Sequence, residues 1–211
     1  MQAMEVRMRS ALILAVVVGF GTPAYAQVAG GSFMYARLGY GTVLTDGTRA
    51  SPAFGFGFRG ELDAVAVDMS FLNFIVPHNR PLLAGDGTFA GSLFRLQVLR
   101  FLDSAAERSL YVGGGISYAR VSSGGTEYTA TGYTTGWDGT GMQGEATVGY
   151  ELTRSSPMRI FVQADAGLPL FKAKQWSYSM TSRGIDYASP AVDRRYVPSV
   201  ALTLGIGWRR R

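Results

Sequence analysis

Apolar and polar side chains alternate with a period of two along most of the chain after residue 26. Between residues 54 and 58, three phenylalanines alternate with two glycines, and between residues 65 and 71 bulky apolar residues take every odd position. Near the C-terminus, large apolar residues from Val200 to Trp208 alternate with small ones. Successive side chains of a β-strand point to opposite faces, so this period is typical of strands. The pattern predicts an all-β chain.

Eight segments carry this alternation, and they predict eight strands at 33–42, 52–60, 62–73, 89–101, 109–121, 141–152, 159–171 and 196–208. Strands in soluble proteins average about 5–6 residues, and these are roughly twice as long. A tilted strand that crosses a membrane needs about 9–11 residues. The lengths therefore indicate membrane-spanning strands.

The connections between the predicted strands differ in length at the two ends. Short turns are expected after strands two, four and six, around 60–61, 103–108 and 153–158, and longer loops after strands three, five and seven, at 74–88, 122–140 and 172–195. Outer-membrane barrels combine short periplasmic turns with longer outer loops. We therefore expect an all-β, eight-stranded, antiparallel, up-and-down transmembrane β-barrel. Two aromatic girdles are predicted at its rims, from Tyr40, Phe71 and Tyr118 at one end and Phe58, Tyr150 and Trp208 at the other.

The first 26 residues have the layout of a secretory signal peptide. Arg7 and Arg9 precede an apolar run at 11–20, and an Ala-Tyr-Ala cleavage pattern follows at 24–26. An apolar run of this length is too short to span a bilayer as a helix. The sequence predicts a signal peptide at 1–26 and a barrel domain at 27–211, exported to the outer membrane.

Composition narrows the chemistry that the chain can perform. Of its 211 residues only 17% are charged, and it contains 28 glycines, one histidine and no cysteine. Soluble domains carry about 25% charged residues. The absence of cysteine excludes disulfides and thiolate sites, and a single histidine argues against a multi-histidine metal centre. We expect no cofactor and no bound metal.

With these features the chain resembles the small eight-stranded outer-membrane proteins, the family that includes the OmpA transmembrane domain, OmpX and OmpW. The resemblance rests on the signal site at 24–26, the eight alternating strands and the final strand at 200–208. Members usually end in an aromatic residue that the barrel-assembly machinery reads, and Trp208 takes that place ahead of three arginines. The resemblance implies assembly by that machinery with periplasmic chaperones. It also implies a monomer with a structural, surface-interaction or adhesive role and no enzymatic activity.

Two alternatives remain open at this point. A lipid A-modifying barrel enzyme needs a histidine and a serine near the outer rim. The single histidine, His78, stands in a proline-flanked loop, and a partner would have to come from elsewhere, for example Ser123 or Ser177. The second alternative is an exported lipocalin-like binder with its apolar face turned inward.

The polar face of the predicted strands carries charges that would line the lumen of a barrel. These charges must be paired or hydrated there. Glu145 and Asp165 lie at similar depth on strands six and seven, and two adjacent carboxylates need a cation such as Arg95 or Arg37 between them. An eight-stranded interior is just wide enough for side chains to fill. We expect no open channel, and a lumen ionic network of Arg37, Arg59, Asp68, Arg95, Glu145 and Asp165, with Gln97, Gln143 and Gln163.

Basic residues also gather in and beside the last long loop. They are Lys172, Lys174, Arg183, Arg194 and Arg195. On an outer loop they would face lipopolysaccharide phosphates, to which lysine and arginine form charge-assisted hydrogen bonds. Ordinary solvation of the loop is the alternative. Outer-membrane lipid and lipopolysaccharide are the expected partners, and no nucleic acid is expected because the chain is exported.

Overall fold

The computed structural model describes residues 31–44, 50–77, 87–123, 133–181, 184–186 and 194–209. The predicted signal peptide lies outside these residues. No helix in the described part of the chain is long and apolar enough to cross a membrane. The strands are β1 (Ser32–Val43), β2 (Ser51–Leu62), β3 (Val65–Pro77), β4 (Gly87–Phe101), β5 (Ser109–Ser123), β6 (Tyr133–Glu151), β7 (Met158–Pro169), β8 (Ala173–Thr181), β9 (Gly184–Asp186), β10 (Arg194–Arg195) and β11 (Ser199–Arg209).

Strands β1 to β7 pair with one another in chain order, and every pairing is antiparallel. Strand β11 closes the sheet because it pairs with β7 on one side and with β1 on the other. Closure leaves no open edge within the ring of eight strands. The predicted fold class, an eight-stranded antiparallel barrel, is confirmed.

The short strands β8, β9 and β10 extend the barrel wall at one end. Strand β6 pairs with β7 up to Pro169 and with β8 from Lys174 onward, without a change of register. Strands β7 and β8 are therefore one long strand interrupted at 170–172. Strand β10 pairs with β8 and precedes β11 after an interruption at 196–198, across which the register shifts by two residues.

Three connections at the opposite end are short. They comprise the turn residues Asp63 and Ala64 and the segments 102–108 and 152–157. We call this the short-turn end, and the opposite end the long-loop end. The turn expected at 60–61 is wrongly placed, because Asp63 adopts a left-handed φ of 56° and turns the chain there. Aspartate tolerates this region better than most residues, and Glu61 consequently belongs to β2.

The loops predicted at 122–140 and 172–195 are shorter than expected. Strand β5 continues to Ser123, β6 begins at Tyr133, and β8 occupies much of the last loop. Threonine and aromatic residues favour strands, and a paired hairpin satisfies its own backbone groups beyond the barrel ring. The paired strands therefore extend beyond the length that is needed to cross a membrane.

The register around the barrel defines its width. A path through directly paired residues starts on β1 at Phe33 and returns to β1 at Val43, ten residues further along, so the shear number is 10. The residues in between are Arg59, Asp68, Gln97, Gly115, Glu145, Gly167 and Ser199. With eight strands, this shear corresponds to a strand tilt of about 40° and a narrow interior.

The apolar face of the barrel points outward. Large apolar residues of the alternating strands are exposed outside the barrel, among them Phe56, Val67, Leu96, Val148 and Leu204. The exposed fractions of Tyr40 and Trp208, near opposite rims, are 64% and 66%. An outward apolar belt requires an apolar surrounding. It contradicts the lipocalin-like alternative, whose apolar face would point inward.

Candidate functional site in the barrel lumen

The middle of the lumen holds an arginine between two carboxylates. Arg95 Nη2 lies 2.7 Å from Asp165 Oδ1 and 3.2 Å from Glu145 Oε2. Arg37 Nη1 lies 2.7 Å from the other oxygen of Asp165. Arg95 and Arg37 therefore occupy the positions in which a cation would relieve repulsion between Glu145 and Asp165.

Neutral side chains complete the hydrogen bonding of these carboxylates. The Thr147 hydroxyl donates to Asp165 at 2.7 Å, and the Gln163 amide donates to the same oxygen at 2.8 Å. Glu145 Oε1 accepts from the Ser92 hydroxyl at 2.9 Å and from the Gln143 amide at 3.0 Å. Buried charges cost little only when they are paired and hydrogen-bonded in this way.

A second cluster surrounds Arg59 on the short-turn side of the first. Arg59 Nε lies 3.0 Å from Asp68 Oδ2, and the two residues are direct register partners on β2 and β3. The Tyr35 hydroxyl donates to both Asp68 oxygens, at 2.8 and 2.9 Å. Four aromatic rings enclose the guanidinium at 4.6–5.7 Å, which adds cation–π attraction: Phe33, Tyr35, Tyr111 and Phe161.

A third cluster, which sequence reasoning missed, lies at the strand ends. Arg159 Nη2 contacts Glu61 at 2.7 Å, and its Nη1 contacts Glu151 at 2.6 Å. The sequence pattern places Glu61 in a turn and Arg159 at the first position of its predicted strand. The alternation of faces along the strand could have placed Arg159 in the lumen, because it is spaced by two and four residues from Phe161 and Gln163, which face the lumen.

Gln163 and Glu151 join the three clusters into one network. Gln163 Oε1 accepts from Arg59 Nη2 at 3.2 Å and from the Tyr111 hydroxyl at 2.8 Å, while its amide reaches Asp165. Glu151 lies 3.8 Å from Arg59 and also contacts Arg159. The structure thus brings all six residues of the predicted lumen network together. Asp68 contacts Arg59, and its register partner on β4 is Gln97.

Above the network, toward the long-loop end, the lumen becomes apolar. A buried cluster there comprises Val43, Ala53, Leu72, Phe74, Ala90, Val121, Ala173, Val197 and Ala201, with Phe171 packed against it. A cavity of about 10 Å³ remains between this cluster and Asp165. That volume corresponds to about one water molecule.

Arg154 ties the three short turns together at the opposite end. Its guanidinium donates to the carbonyl oxygens of Asp63, Asp103 and Ser104 at 2.8–3.2 Å. It also lies 3.9 Å above the Phe101 ring. A hydrogen bond from the neighbouring Ser155 hydroxyl lowers the pKa of Glu107 below its usual value.

No protein-family profile and no curated protein matches this chain in sequence. Solved structures do match its fold. A major outer membrane protein from Thermus thermophilus has a TM-score of 0.59 at 12% identity, covering 87% of this chain and 100% of that chain. OprG from Pseudomonas aeruginosa has a TM-score of 0.56 at 13% identity, covering 86% and 96%. Neisserial surface protein A has a TM-score of 0.52 at 14% identity, covering 86% and 99%.

The fold is that of a small outer-membrane β-barrel. At these identities the likeness concerns the fold alone. In barrels of this kind the short turns are periplasmic and the longer loops are external. We therefore refer to the short-turn end as the periplasmic end and to the long-loop end as the outer end.

The predicted basic cluster lies mostly at the outer end of this small outer-membrane β-barrel. Lys172 and Lys174 are exposed, and Lys172 Nζ lies 5.1 Å from the centroid of the exposed Tyr196 ring. Arg194 is the register partner of Lys174, and Arg195 is exposed beside it. Arg183 lies outside the described residues.

Three residues were considered for an enzymatic site, one histidine and two serines. His78 lies outside the described residues. Ser123 ends β5 and Ser177 lies within β8, on separate strands of the outer end. Within the described ranges, no group of three or more His, Cys, Asp or Glu side chains is arranged to hold a metal ion.

Proposed function

We propose that this protein is a non-enzymatic outer-membrane barrel that acts through its outer surface, in a structural or adhesive role, while its lumen serves as an internal brace. The observation that carries the proposal is the network across the lumen. It joins Arg95 on β4 to Asp165 on β7, and Arg159 on β7 to Glu61 on β2. Non-neighbouring strands are therefore held at fixed separation by buried ion pairs.

A conducting pore would require these ion pairs to separate. The side chains of Arg37, Arg59 and Arg95 are each 0% exposed. Leaving one buried charge without its partner costs about 3–5 kcal/mol, and a passage for ions would separate several at once. The apolar cluster above the network adds a second barrier to ions. The interior therefore supports a scaffold function and argues against the passage of ions through the lumen.

The outer surface is larger than a membrane anchor requires. Strand β6 spans 19 residues, whereas a tilted membrane strand needs about 9–11. Its first six residues, 133–138, pair with β8, so the sheet extends beyond the belt. Strands presented in this way offer backbone and side-chain groups to a partner surface. This geometry supports an interaction role for the outer end.

The first experiment tests the closed lumen and the location together. The full-length gene is expressed in a Gram-negative host, and the exported protein is followed in outer-membrane fractions and then purified into planar bilayers. We expect outer-membrane fractionation, heat-modifiable gel migration and no steady conductance. Steady conductance at the level of an open pore would contradict the brace.

The second experiment tests the outer sheet. Residues 122–138 are deleted and Val121 is joined to Gly139 through an Asn-Gly turn, because these two residues are register partners. Cells with the shortened protein should lose surface attachment that the intact protein confers, while heat-modifiable migration persists. Unchanged attachment, or a change in lipid A mass that depends on the protein, would contradict the proposed role.

A further inference from the structure

An apolar groove of about 670 Å³ crosses the outward wall of the barrel where β6, β7, β11 and β1 meet. Its floor is formed by Ala164 and Ala166 of β7, both half-buried. Larger side chains stand around the floor, among them Tyr40, Val148, Val200 and Leu202. The volume falls within the roughly 300–1,000 Å³ of small-molecule sites.

The register explains why the wall is concave there. One row of directly paired residues runs from Ala146 through Ala166 to Val200. The next row runs from Val148 through Ala164 to Leu202 and Tyr40. Because paired residues of a sheet share a face, Ala164 lies between the larger Val148 and Leu202, and Ala166 lies between Ala146 and the larger Val200.

The two lysines of the basic cluster lie further along the same strand, toward the outer end. Leu168, Leu170, Lys172 and Lys174 continue the outward positions of β7 and β8 beyond Ala166. From Ala166 to Lys172 the strand rises about 20 Å, or about 15 Å along the membrane normal at the tilt of this barrel. That height is about half of the roughly 30 Å hydrocarbon core, the depth of one leaflet.

The charges around Lys174 favour an anion. Asp138 is the register partner of Lys174, but it already lies 3.6 Å from Arg120. Lys172 is held over the Tyr196 ring, and Arg194 on β10 is the register partner of Lys174 on the side opposite to Asp138. Among the described residues around Lys174, cations therefore outnumber carboxylates.

We propose that this groove and the basic cluster together bind lipopolysaccharide, with one acyl chain of its lipid A moiety along Ala164 and Ala166 and a phosphate at Lys172 and Lys174. The inference rests on the proposed outer-membrane location. Charge complementarity selects this occupant over a second copy of the chain, because two copies would bring the same cations together. The outer leaflet supplies the phosphorylated, multiply acylated lipid that fits both parts.

The test measures binding of fluorescent lipopolysaccharide to the purified mature chain in detergent micelles. Ala166→Phe fills the groove, and Ala36→Phe adds the same ring at another outward alanine, which lies between Phe56 and Ile206. Loss of the acyl contact should weaken binding about tenfold in Ala166→Phe. Ala36→Phe should bind as the wild type does. Ala146→Leu serves as a second groove variant if Ala166→Phe does not fold.

A second set of binding measurements tests the role of charge by comparing the same lipid with and without its phosphates. Wild-type protein should prefer the phosphorylated form by about tenfold, and Lys172→Gln with Lys174→Gln should bind both forms equally. Phosphatidylglycerol tests another anionic lipid and should bind more weakly than lipopolysaccharide.

Three results would overturn the inference: equal affinities of Ala166→Phe and Ala36→Phe, equal affinities for the two anionic lipids, or a dimer in native mass spectrometry that Ala166→Phe dissolves. The proposed function is judged separately by outer-membrane fractionation, conductance and surface attachment. A folded, non-conducting barrel that does not bind lipopolysaccharide would therefore overturn this inference alone.

Discussion

Arg95 on β4 and Asp165 on β7 form a 2.7 Å ion pair between strands that are not neighbours in the barrel. The exposed fractions of their side chains are 0% and 3%. Because the pair is so deeply buried, water cannot solvate the remaining charge when its partner is removed. It therefore acts as a cross-brace through the lumen, and its removal gives a direct measure of what the network contributes.

Removing Arg95 should destabilise the barrel strongly. Arg95→Ala leaves Glu145 without its arginine and Asp165 with Arg37 alone, and the free energy of unfolding should fall by about 3–5 kcal/mol. Arg120→Ala is the matched control, because Arg120 and Asp138 form an ion pair that is about half exposed. Its effect should stay within about 1 kcal/mol. Urea unfolding in lipid vesicles measures both, and equal losses would count against the brace.

The energetic cost of an arginine placed on the outer wall should depend on its depth in the membrane. Leu96 lies mid-strand on β4, and Leu102 follows the end of the same strand. Leu96→Arg should cost about 2–4 kcal/mol in a bilayer, whereas Leu102→Arg should cost at most about 1 kcal/mol. Folding into vesicles of defined thickness measures the difference. The reverse order would mean that the assigned lipid belt is misplaced.

Inward glycines should tolerate no side chain where an aromatic ring fills their space. A Cβ added to Gly205 would lie 2.1 Å from the Phe161 ring, whereas a Cβ added to the outward Gly144 would meet only the Leu168 carbonyl oxygen at 3.8 Å. Gly205→Ala should therefore destabilise the barrel by about 1–3 kcal/mol through overpacking. Gly144→Ala should leave the urea midpoint unchanged. Similar midpoints for the two variants would show that Phe161 rearranges freely.

Arg154 should hold the periplasmic turns through its planar guanidinium. Arg154→Ala removes donors to three turn carbonyls and should lower the free energy of unfolding by about 1–3 kcal/mol. Lysine keeps the charge but lacks the forked donors, so Arg154→Lys should recover less than half of the loss. Amide hydrogen exchange should also accelerate in the turn at Asp63 and Ala64. Wild-type exchange in both variants would contradict this role.

The barrel was predictable from the sequence because a strand has only two faces. Once Phe54, Phe56 and Phe58 were assigned to one face, every residue between them belonged to the other, and the same parity placed Asp68 and Arg95 inside. Strand number followed from counting the alternating segments. The strand ends were less accurate, since Thr-rich and aromatic-rich segments near Tyr133 form a ladder whether or not a membrane surrounds them.

The alternation of side chains along a strand determines which of them enter the lumen, but it does not determine which of them contact one another. Pairing across the lumen depends on the shear of the barrel, and the shear depends on the register of eight strand pairs at once. Only the closed structure brings Arg159 to Glu61, 98 residues away in sequence, and assigns Asp68 to Arg59. The groove along Ala164 and Ala166 arises in the same way, because its walls come from strands far apart in the chain. The sequence alone determined the alternation and hence the two surfaces of the wall, since the period of two is local; the tertiary structure decided the contacts, since register is set by all the strands together.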